Sequence, residues 1–256
     1  MSAISPNDFG LPAPGTTLEE STRAKLITAA GEVFAEVGFR DATVREICAR
    51  AGANLAAVNY HFRDKLGLYR EVLACAGREA VTKYPPGAGV TESSPVADRL
   101  GAFVSNYLKR LFDQGRPAWH GKLMCREMID PTEVLDDLTE SFIRPQYQRL
   151  CGIVREVLGS SATEERVRLG AASVVGQCLF YKHAAAVLAR LEPGWDPTGE
   201  GRDRLAEHIT GFALAGLEGM RGREGSVAVR PEASGPRVDL SPAERSPGVV
   251  RDGGMP

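Results

Sequence analysis

The sequence lacks the features that direct a chain to a membrane or out of the cell. No apolar run reaches the roughly 18 residues that a membrane span requires. The N-terminal segment has no basic residue before Arg23 and no apolar stretch typical of a signal peptide. Cysteines are few and scattered, at positions 48, 75, 125, 151 and 178. This odd number indicates reduced thiols, not a disulfide framework, so we expect a cytoplasmic protein.

An excess of charge of one sign is also absent. The 31 Lys and Arg residues face 33 Asp and Glu residues, which gives a formal net charge of -2. Bulk charge therefore does not indicate a nucleic-acid partner. Hydrophobic residues at 43% and charged residues at 25% are typical of globular proteins. The 256 residues suit one large domain or two smaller ones.

Signatures of catalysis are missing from the sequence. There is no Gly-rich phosphate loop, no Cys-x-x-Cys pair and no nucleophile elbow. No histidine follows a glutamate by three residues, so the Glu-x-x-His pattern of helical di-iron proteins is absent. We therefore expect neither enzymatic activity nor a cofactor or metal, and a helical-bundle enzyme is the less favoured alternative.

Helical periodicity runs through most of the chain, and strand patterns do not occur, so the predicted fold is all-α. Predicted helices cover residues 19–37, the two helices of 43–65, 65–82, 96–112, 117–129, 131–158, 163–191 and 202–221. Because Pro145 lies inside 131–158, that segment is either one kinked helix or two helices that meet there. A loop rich in Pro, Gly and Ser, Pro85–Pro95, separates a DNA-binding domain at 19–84 from a larger domain at 96–222. Segments 1–18 and 223–256 have little apolar content and are predicted to be disordered tails.

The segment from Thr43 to Lys65 carries the clearest motif. Thr43 and Glu46 have the capping-box spacing, and Gly52 provides a residue that tolerates positive φ at a chain reversal. Asn54 is positioned to cap a second short helix. Two short helices joined by a turn of this length form a helix-turn-helix unit, whose second helix enters the DNA major groove.

Residues 22–73 resemble TetR-family transcriptional regulators in order and spacing. The likeness is carried by Ala29, Ala30, Phe34, Gly38, Phe39, Thr43, Ile47, Ala51-Gly52-Ala53, Val58-Asn59-Tyr60-His61-Phe62, Lys65 and Leu68-Tyr69. The stretches 119–131 and 142–147 are similar to the CecR-type subgroup, which is linked to antibiotic sensitivity. The resemblance implies a homodimeric repressor that binds a pseudo-palindromic double-stranded operator. A largely apolar or aromatic small molecule would bind the C-terminal domain and release the DNA.

Nine residues are candidate DNA contacts: Thr43, Arg45, Asn54, Ala56, Ala57, Asn59, Tyr60, His61 and Lys65. The resemblance assigns phosphate contacts to Tyr60, His61 and Lys65, and the Thr43 hydroxyl is suited to the same role. Asn54 can contact adenine and the alanines a thymine methyl, although Asn54 can also act as a helix cap alone. Asn59 replaces a residue that is often aromatic in the family, and Arg45 can be a contact or an ordinary solvated side chain. Tyr60 could instead be a buried structural residue, and Lys65 an ordinary solvated lysine.

Acidic and basic residues balance between positions 18 and 80, at nine of each. Phosphate binding requires only that one face is positive. We therefore expect Arg23, Lys25, Arg45, Arg63 and Lys65 to lie on the DNA-facing side.

Candidate effector-binding residues are polar or aromatic side chains on otherwise apolar helices: Trp119, His120, Arg126, Cys178, Tyr181 and His183. Each could instead have a structural role, as core residues or as an Arg126–Glu127 pair. A thiol-based redox regulator is the alternative function, since Arg126 could lower the pKa of the Cys125 thiol, and Cys178 is the other candidate thiol. Small residues in 169–188 and 205–217 indicate a dimer interface of close-packed helices, or else close packing within one chain.

Overall fold

The computed structural model describes the backbone of residues 18–113 and 119–221, and the side chains of this part except those of residues 18–20 and 120. The predicted tails, apart from Leu18, lie outside the described residues. All regular structure within these residues is helical, which confirms the predicted all-α fold. In chain order the helices are α1 (Leu18–Asp41), α2 (Val44–Ala51), α3 (Leu55–Phe62), α4 (Lys65–Lys83), α5 (Val96–Phe112), α6 (His120–Ile129), α7 (Leu135–Leu138), α8 (Arg144–Leu158), α9 (Glu164–His183), α10 (Ala185–Leu191) and α11 (Gly199–Met220).

Short-range capping determines where the N-terminal helices begin and end. Gly38, near the end of α1, has φ 86° and ψ 172°, so the regular helix is interrupted where the sequence places a C-terminal glycine. The side chain of Thr43 accepts a hydrogen bond from the Glu46 amide at 3.2 Å, and Gly52 closes α2 with φ 63°. Asp64 caps α4 by accepting from the Gly67 amide at 2.7 Å. These local signals were readable from the sequence.

Two hydrophobic cores organise the described chain. The first is formed by the four helices α1, α2, α3 and α4, and it also contains Trp119, Leu123 and Val134 from the region after the predicted domain boundary. The second is formed mainly by α5, α8, α9 and α11. The described residues all belong to one compact unit. The helix-turn-helix segment is therefore packed directly against the start of the larger helical region.

The prediction of one kinked helix, or two helices meeting at Pro145, over 131–158 was wrong at its start. Residues 131–134 are not helical, and α7 is followed by a π-helical turn at Thr139–Ile143 that leads into α8. Pro145 lies in the first turn of α8, where its missing N–H leaves no intrahelical bond unmade. The predicted helix at 163–191 is divided into α9 and α10 at Ala184. No Pro or Gly lies at that break.

Candidate DNA-binding surface and effector cavity

The helix-turn-helix holds α3 by its inner face and leaves its outer face uncovered. Val58 and Phe62 are buried in the first core. On the opposite side, Asn54, Ala56 and Asn59 are exposed, and Tyr60 keeps 71% of its surface accessible. Asn54 accepts a hydrogen bond from the Ala57 amide at 2.9 Å, so it caps α3, as expected. The first turn of α3 is thereby rigid and open to a partner.

The candidate phosphate-binding residues differ in how free their polar groups are. Thr43 is exposed and uses its hydroxyl oxygen as a cap acceptor, which leaves the hydroxyl proton available as a donor. The Tyr60 ring packs edge-on against the half-buried His61 ring at 5.0 Å between centroids. Tyr60 is therefore not the buried structural tyrosine that the sequence left possible.

Lys65 is placed differently from an ordinary solvated lysine. Its ammonium donates to the carbonyl oxygens of Arg40 at 3.2 Å and Ala42 at 2.9 Å. The same group lies 4.6 Å from the centre of the Phe39 ring. These contacts close the C-terminal end of α1, and one N–H of the ammonium remains for another acceptor.

Basic residues of this region separate into free and paired groups. Lys25, Arg45 and Arg63 are exposed and form no ion pair with other described residues. Arg23, which was expected to face DNA, instead pairs with Glu71 on α4. Arg63 has the positive φ of 72°, which is unusual for a non-glycine residue.

Arg50 is among the paired group. It binds the Glu36 carboxylate through two hydrogen bonds of 2.9 and 2.7 Å, and these hold the pKa of Glu36 below its ordinary value. The pair fixes α2 against α1. Arg50 therefore stabilises the packing of the helix-turn-helix unit and is not available at the candidate DNA-binding surface.

A partly open cavity of about 170 Å³ lies between α5, α6, the π-helical turn, α8 and α9. Its wall is mostly apolar and aromatic: Phe103, Tyr107, Arg110, Leu111, Gly121, Met124, Cys125, Met128, Phe142, Ile143, Gln146, Tyr147, Val175 and Leu179. Largely apolar walls with a few polar groups are typical of small-molecule sites. Among the described wall residues there is none of Trp119, Arg126, Cys178, Tyr181 and His183, which are five of the six predicted effector-binding residues.

The structure places five of those six residues elsewhere and does not bring them together. Trp119 belongs to the first core, where its ring packs against Gly31. Arg126 does not pair with Glu127 but donates to the Glu36 carbonyl at 2.9 Å. Cys178 is buried in the second core, Tyr181 is half-buried and His183 is exposed. The side chain of His120 lies outside the described residues.

A periodic signal in the sequence could have located the cavity. Gly121, Met124, Cys125 and Met128 are spaced at i, i+3, i+4 and i+7, which places them on one face of α6. In α5, Arg110 is the charged residue among buried side chains that are apolar except for Asn106. A charged residue among such side chains is unusual enough to mark a site.

Helix α6 contacts different parts of the molecule with its two faces. One lines the cavity, and the other packs against α1 and α4 through Leu123, Arg126 and Glu127. Glu127 is 1% exposed and accepts from the Tyr69 hydroxyl on α4 at 2.8 Å. Its second oxygen accepts from the amide and hydroxyl of Thr132, both at 2.8 Å. The cavity and the helix-turn-helix frame are therefore connected through one short helix.

The cysteine environments do not favour thiolate chemistry. Burial raises the pKa of Cys125, and the opposing charge is Lys182, not Arg126 as the sequence suggested. Burial raises the pKa of Cys178 to about 12. A thiol must ionise to react, so both groups are poor redox sensors. Within residues 18–113 and 119–221, His, Cys, Asp and Glu side chains form no cluster suited to a metal ion, and no helix there is long and apolar enough to cross a membrane.

Two family models match separate parts of the chain. The model "Bacterial regulatory proteins, tetR family" matches residues 26–72. The model of the C-terminal domain of "HTH-type transcriptional dual regulator CecR" matches residues 96–217. The first contains the helix-turn-helix, and the second contains the described wall of the cavity.

The individual proteins that the chain resembles are also named as transcriptional regulators. The HTH-type transcriptional dual regulator CecR of Shigella flexneri is 29% identical over 204 residues, which cover 75% of this chain and 89% of that protein. The HTH-type transcriptional regulator SrpR of Pseudomonas putida is 38% identical over 74 residues, 29% of this chain and 35% of its own. The crystal structure of a TetR-like transcriptional regulator from Rhodococcus sp. RHA1 has a TM-score of 0.53 at 18% identity, covering 77% of this chain and 96% of its own. This last likeness concerns the fold.

Proposed function

Because the chain belongs to the TetR family of bacterial regulators, we propose that it is a ligand-responsive DNA-binding repressor. In this proposal a homodimer binds a pseudo-palindromic operator and a small-molecule effector releases it. The observation that carries the DNA-binding step is the uncovered outer face of α3, held on a capped and well-packed frame. The Shigella flexneri relative is named a dual regulator, so activation at some promoters is the second candidate.

The proposed contacts divide into those that position the protein and those that read the sequence. Thr43, Arg45, Tyr60 and His61 contact phosphates, as does the remaining N–H of Lys65. The outer side of α3, with the exposed Asn54, Ala56 and Asn59 and the half-buried Ala57, faces the base edges. Positive charge at this face comes from Lys25, Arg45 and Arg63, whose charges are not neutralised by described neighbours.

Fluorescence anisotropy with labelled duplexes tests this division. Tyr60→Ala should weaken binding to all duplexes about equally, because phosphate contacts carry no direct base code. Ala56→Ser should instead change the order of preference among duplexes. A Tyr60→Ala effect confined to one base position would contradict the assignment, as would an Ala56→Ser variant with unchanged affinity and preference.

An apolar face formed by α9 and α11 supports the proposed dimer. Leu169, Phe180 and Phe212 are large apolar residues that are 61%, 58% and 65% exposed. Added Cβ atoms at Gly176 and Gly211 would meet nothing within 4 Å, so a second helix can approach closely there. Some of the small residues predicted for the interface are instead packed inside the subunit.

The remaining small residues of α9 favour the alternative, close packing of helices within one chain. An added Cβ at Gly170 would lie 2.8 Å from Leu217 and 2.9 Å from Val154, so this glycine allows close packing within one chain. Ala171 is fully buried. The exposed subset of small residues therefore supports a dimer, whereas the buried subset supports the fold of the subunit.

Light scattering of matched variants tests the dimer. Phe212→Asp places a charge in the proposed interface and should give a monomer, because a buried unpaired charge costs several kcal/mol. Ile129→Asp makes the same change at a side chain that is 73% exposed on α6 and should remain dimeric. A monomeric wild-type chain at micromolar concentration would contradict the proposal.

The two faces of α6 support the proposed release step. A ligand in the cavity contacts Met124, Cys125 and Met128, and any shift of this face moves Leu123, Arg126 and Glu127 against α1 and α4. These helices form the frame that holds α3. A ligand can change DNA affinity only if it binds the two arrangements of this frame unequally.

A further inference from the structure

We infer that the cavity takes a ring-sized organic anion whose acid group pairs with Arg110. This inference rests on the proposed function, in which the cavity is the effector site, and it specifies the chemical class of the effector. The prediction from sequence extended only to a largely apolar or aromatic molecule.

Arg110 is a buried cation with incomplete hydrogen bonding. Arg110 is one of the residues that line the cavity, and it is 5% exposed. Nη1 donates to the Tyr84 carbonyl at 2.6 Å, whereas the buried Nη2 has no hydrogen-bond partner. The guanidinium carbon lies 5.4 Å from the centre of the Tyr107 ring. An unpaired buried N–H of a charged group is costly, so the site is incomplete without an acceptor.

The charge of Arg110 is not balanced at the cavity. No Asp or Glu is on the described wall. Burial lowers the pKa of Arg110 to about 10, so the group remains positive at neutral pH. A second cation, Lys182, is near enough to lower the pKa of the wall residue Cys125. Carboxylates and similar acids form the strongest hydrogen bonds with a guanidinium, which favours an anion over a neutral acceptor.

The size and lining of the cavity limit the rest of the ligand. A volume of about 170 Å³ is close to that of an engineered cavity of about 150 Å³ that holds benzene. Phe103, Tyr107, Phe142 and Tyr147 supply aromatic surfaces for a flat ring, and Met124 and Met128 supply adaptable ones. A single aromatic ring with one short acid group meets both limits.

Isothermal titration calorimetry with benzoate and its uncharged isostere benzamide tests the inference. Benzoate should bind the wild-type protein at least about tenfold more tightly, the ratio expected for one charge-assisted hydrogen bond in a buried site. Arg110→Met should lose this preference, because the charge and the free N–H are both removed. Leu179→Met is the matched control on the same wall and should keep the preference, since it conserves volume.

Several results would overturn the inference. They are equal affinity for benzoate and benzamide, a preference that persists in Arg110→Met, or no binding of either probe at millimolar concentration. If Arg110→Met does not fold, as judged by circular dichroism, Arg110→Lys replaces it and should reduce the preference while the charge is kept. Anisotropy with duplex DNA on the same samples separates the claims. Failure to bind DNA contradicts the proposed function, whereas failure of the benzoate preference with intact DNA binding contradicts only the anion class.

Discussion

The contact between Tyr69 and Glu127 gives a sharp prediction about how the two parts of the chain are joined. The Tyr69 hydroxyl donates to Glu127 Oε2 at 2.8 Å, between α4 and α6, and Glu127 is 1% exposed. Burial and the neighbouring carboxylate both raise the pKa of Tyr69, so its hydroxyl remains a donor at neutral pH. Tyr69→Phe removes this donor and leaves a buried carboxylate oxygen without one of its partners.

The expected cost is about 2 kcal/mol, the middle of the range for a hydrogen bond to a buried charged group. For a chain of this size, that loss lowers the melting temperature by about 4–8 °C. Glu127→Met should cost more, about 3 kcal/mol, because the hydroxyl of Tyr69 and two donors of Thr132 lose their acceptor. In the double variant the two costs should not add, and a coupling of about 1–2 kcal/mol is expected.

Urea unfolding of the four proteins measures this cycle. Tyr60→Phe is the matched control, since it removes the same hydroxyl from a side chain that is 71% exposed. It should change the free energy of unfolding by less than about 0.5 kcal/mol. A Tyr69→Phe variant as stable as the control would contradict a stabilising role for the Tyr69–Glu127 hydrogen bond. Simply additive costs of the two substitutions would contradict it too.

Three further substitutions test other parts of the account. Gly31→Val should destabilise the protein by about 1–3 kcal/mol in thermal unfolding, because a Cβ at Gly31 would lie 2.3 Å from the Trp119 ring; a neutral effect would place that ring elsewhere. Cys125→Ser should respond to peroxide as the wild type does, with DNA affinity unchanged in both, because the raised pKa leaves little thiolate at neutral pH. Loss of wild-type DNA binding on peroxide treatment, rescued by this variant, would restore the redox alternative. Asn54→Ala should cost about 1 kcal/mol through loss of the α3 cap, and circular dichroism melts with unchanged stability would count against that capping role.

Much of the fold could be predicted because its signals are local. Thr43, Asn54 and Asp64 each cap the helix that follows them, and such bonds reach only three residues along the chain. The apolar stripe of α5 was likewise recognisable from its period, and its bounds, Val96–Phe112, match the prediction. Fold class and family follow from patterns of this kind.

The cavity could not be predicted in the same way, because it depends on which helix faces meet. Trp119 was placed among the effector-binding residues because it is an aromatic side chain at an otherwise apolar helix, and such side chains can line a pocket. Its actual position is set by Gly31, 88 positions earlier, whose missing side chain makes room for the ring. No local rule connects those two residues. Arg110, by contrast, stood on an apolar stripe and could have been recognised.

The most direct test of the central claim is selection of bound duplexes from random double-stranded DNA by the purified protein. The account predicts enrichment of two inverted half-sites, each read by one α3, with centres one or more helical turns apart. Two chains should bind each selected duplex, measured by light scattering of the complex. Failure to enrich any sequence, or enrichment of a single unrepeated half-site bound by one chain, would contradict it.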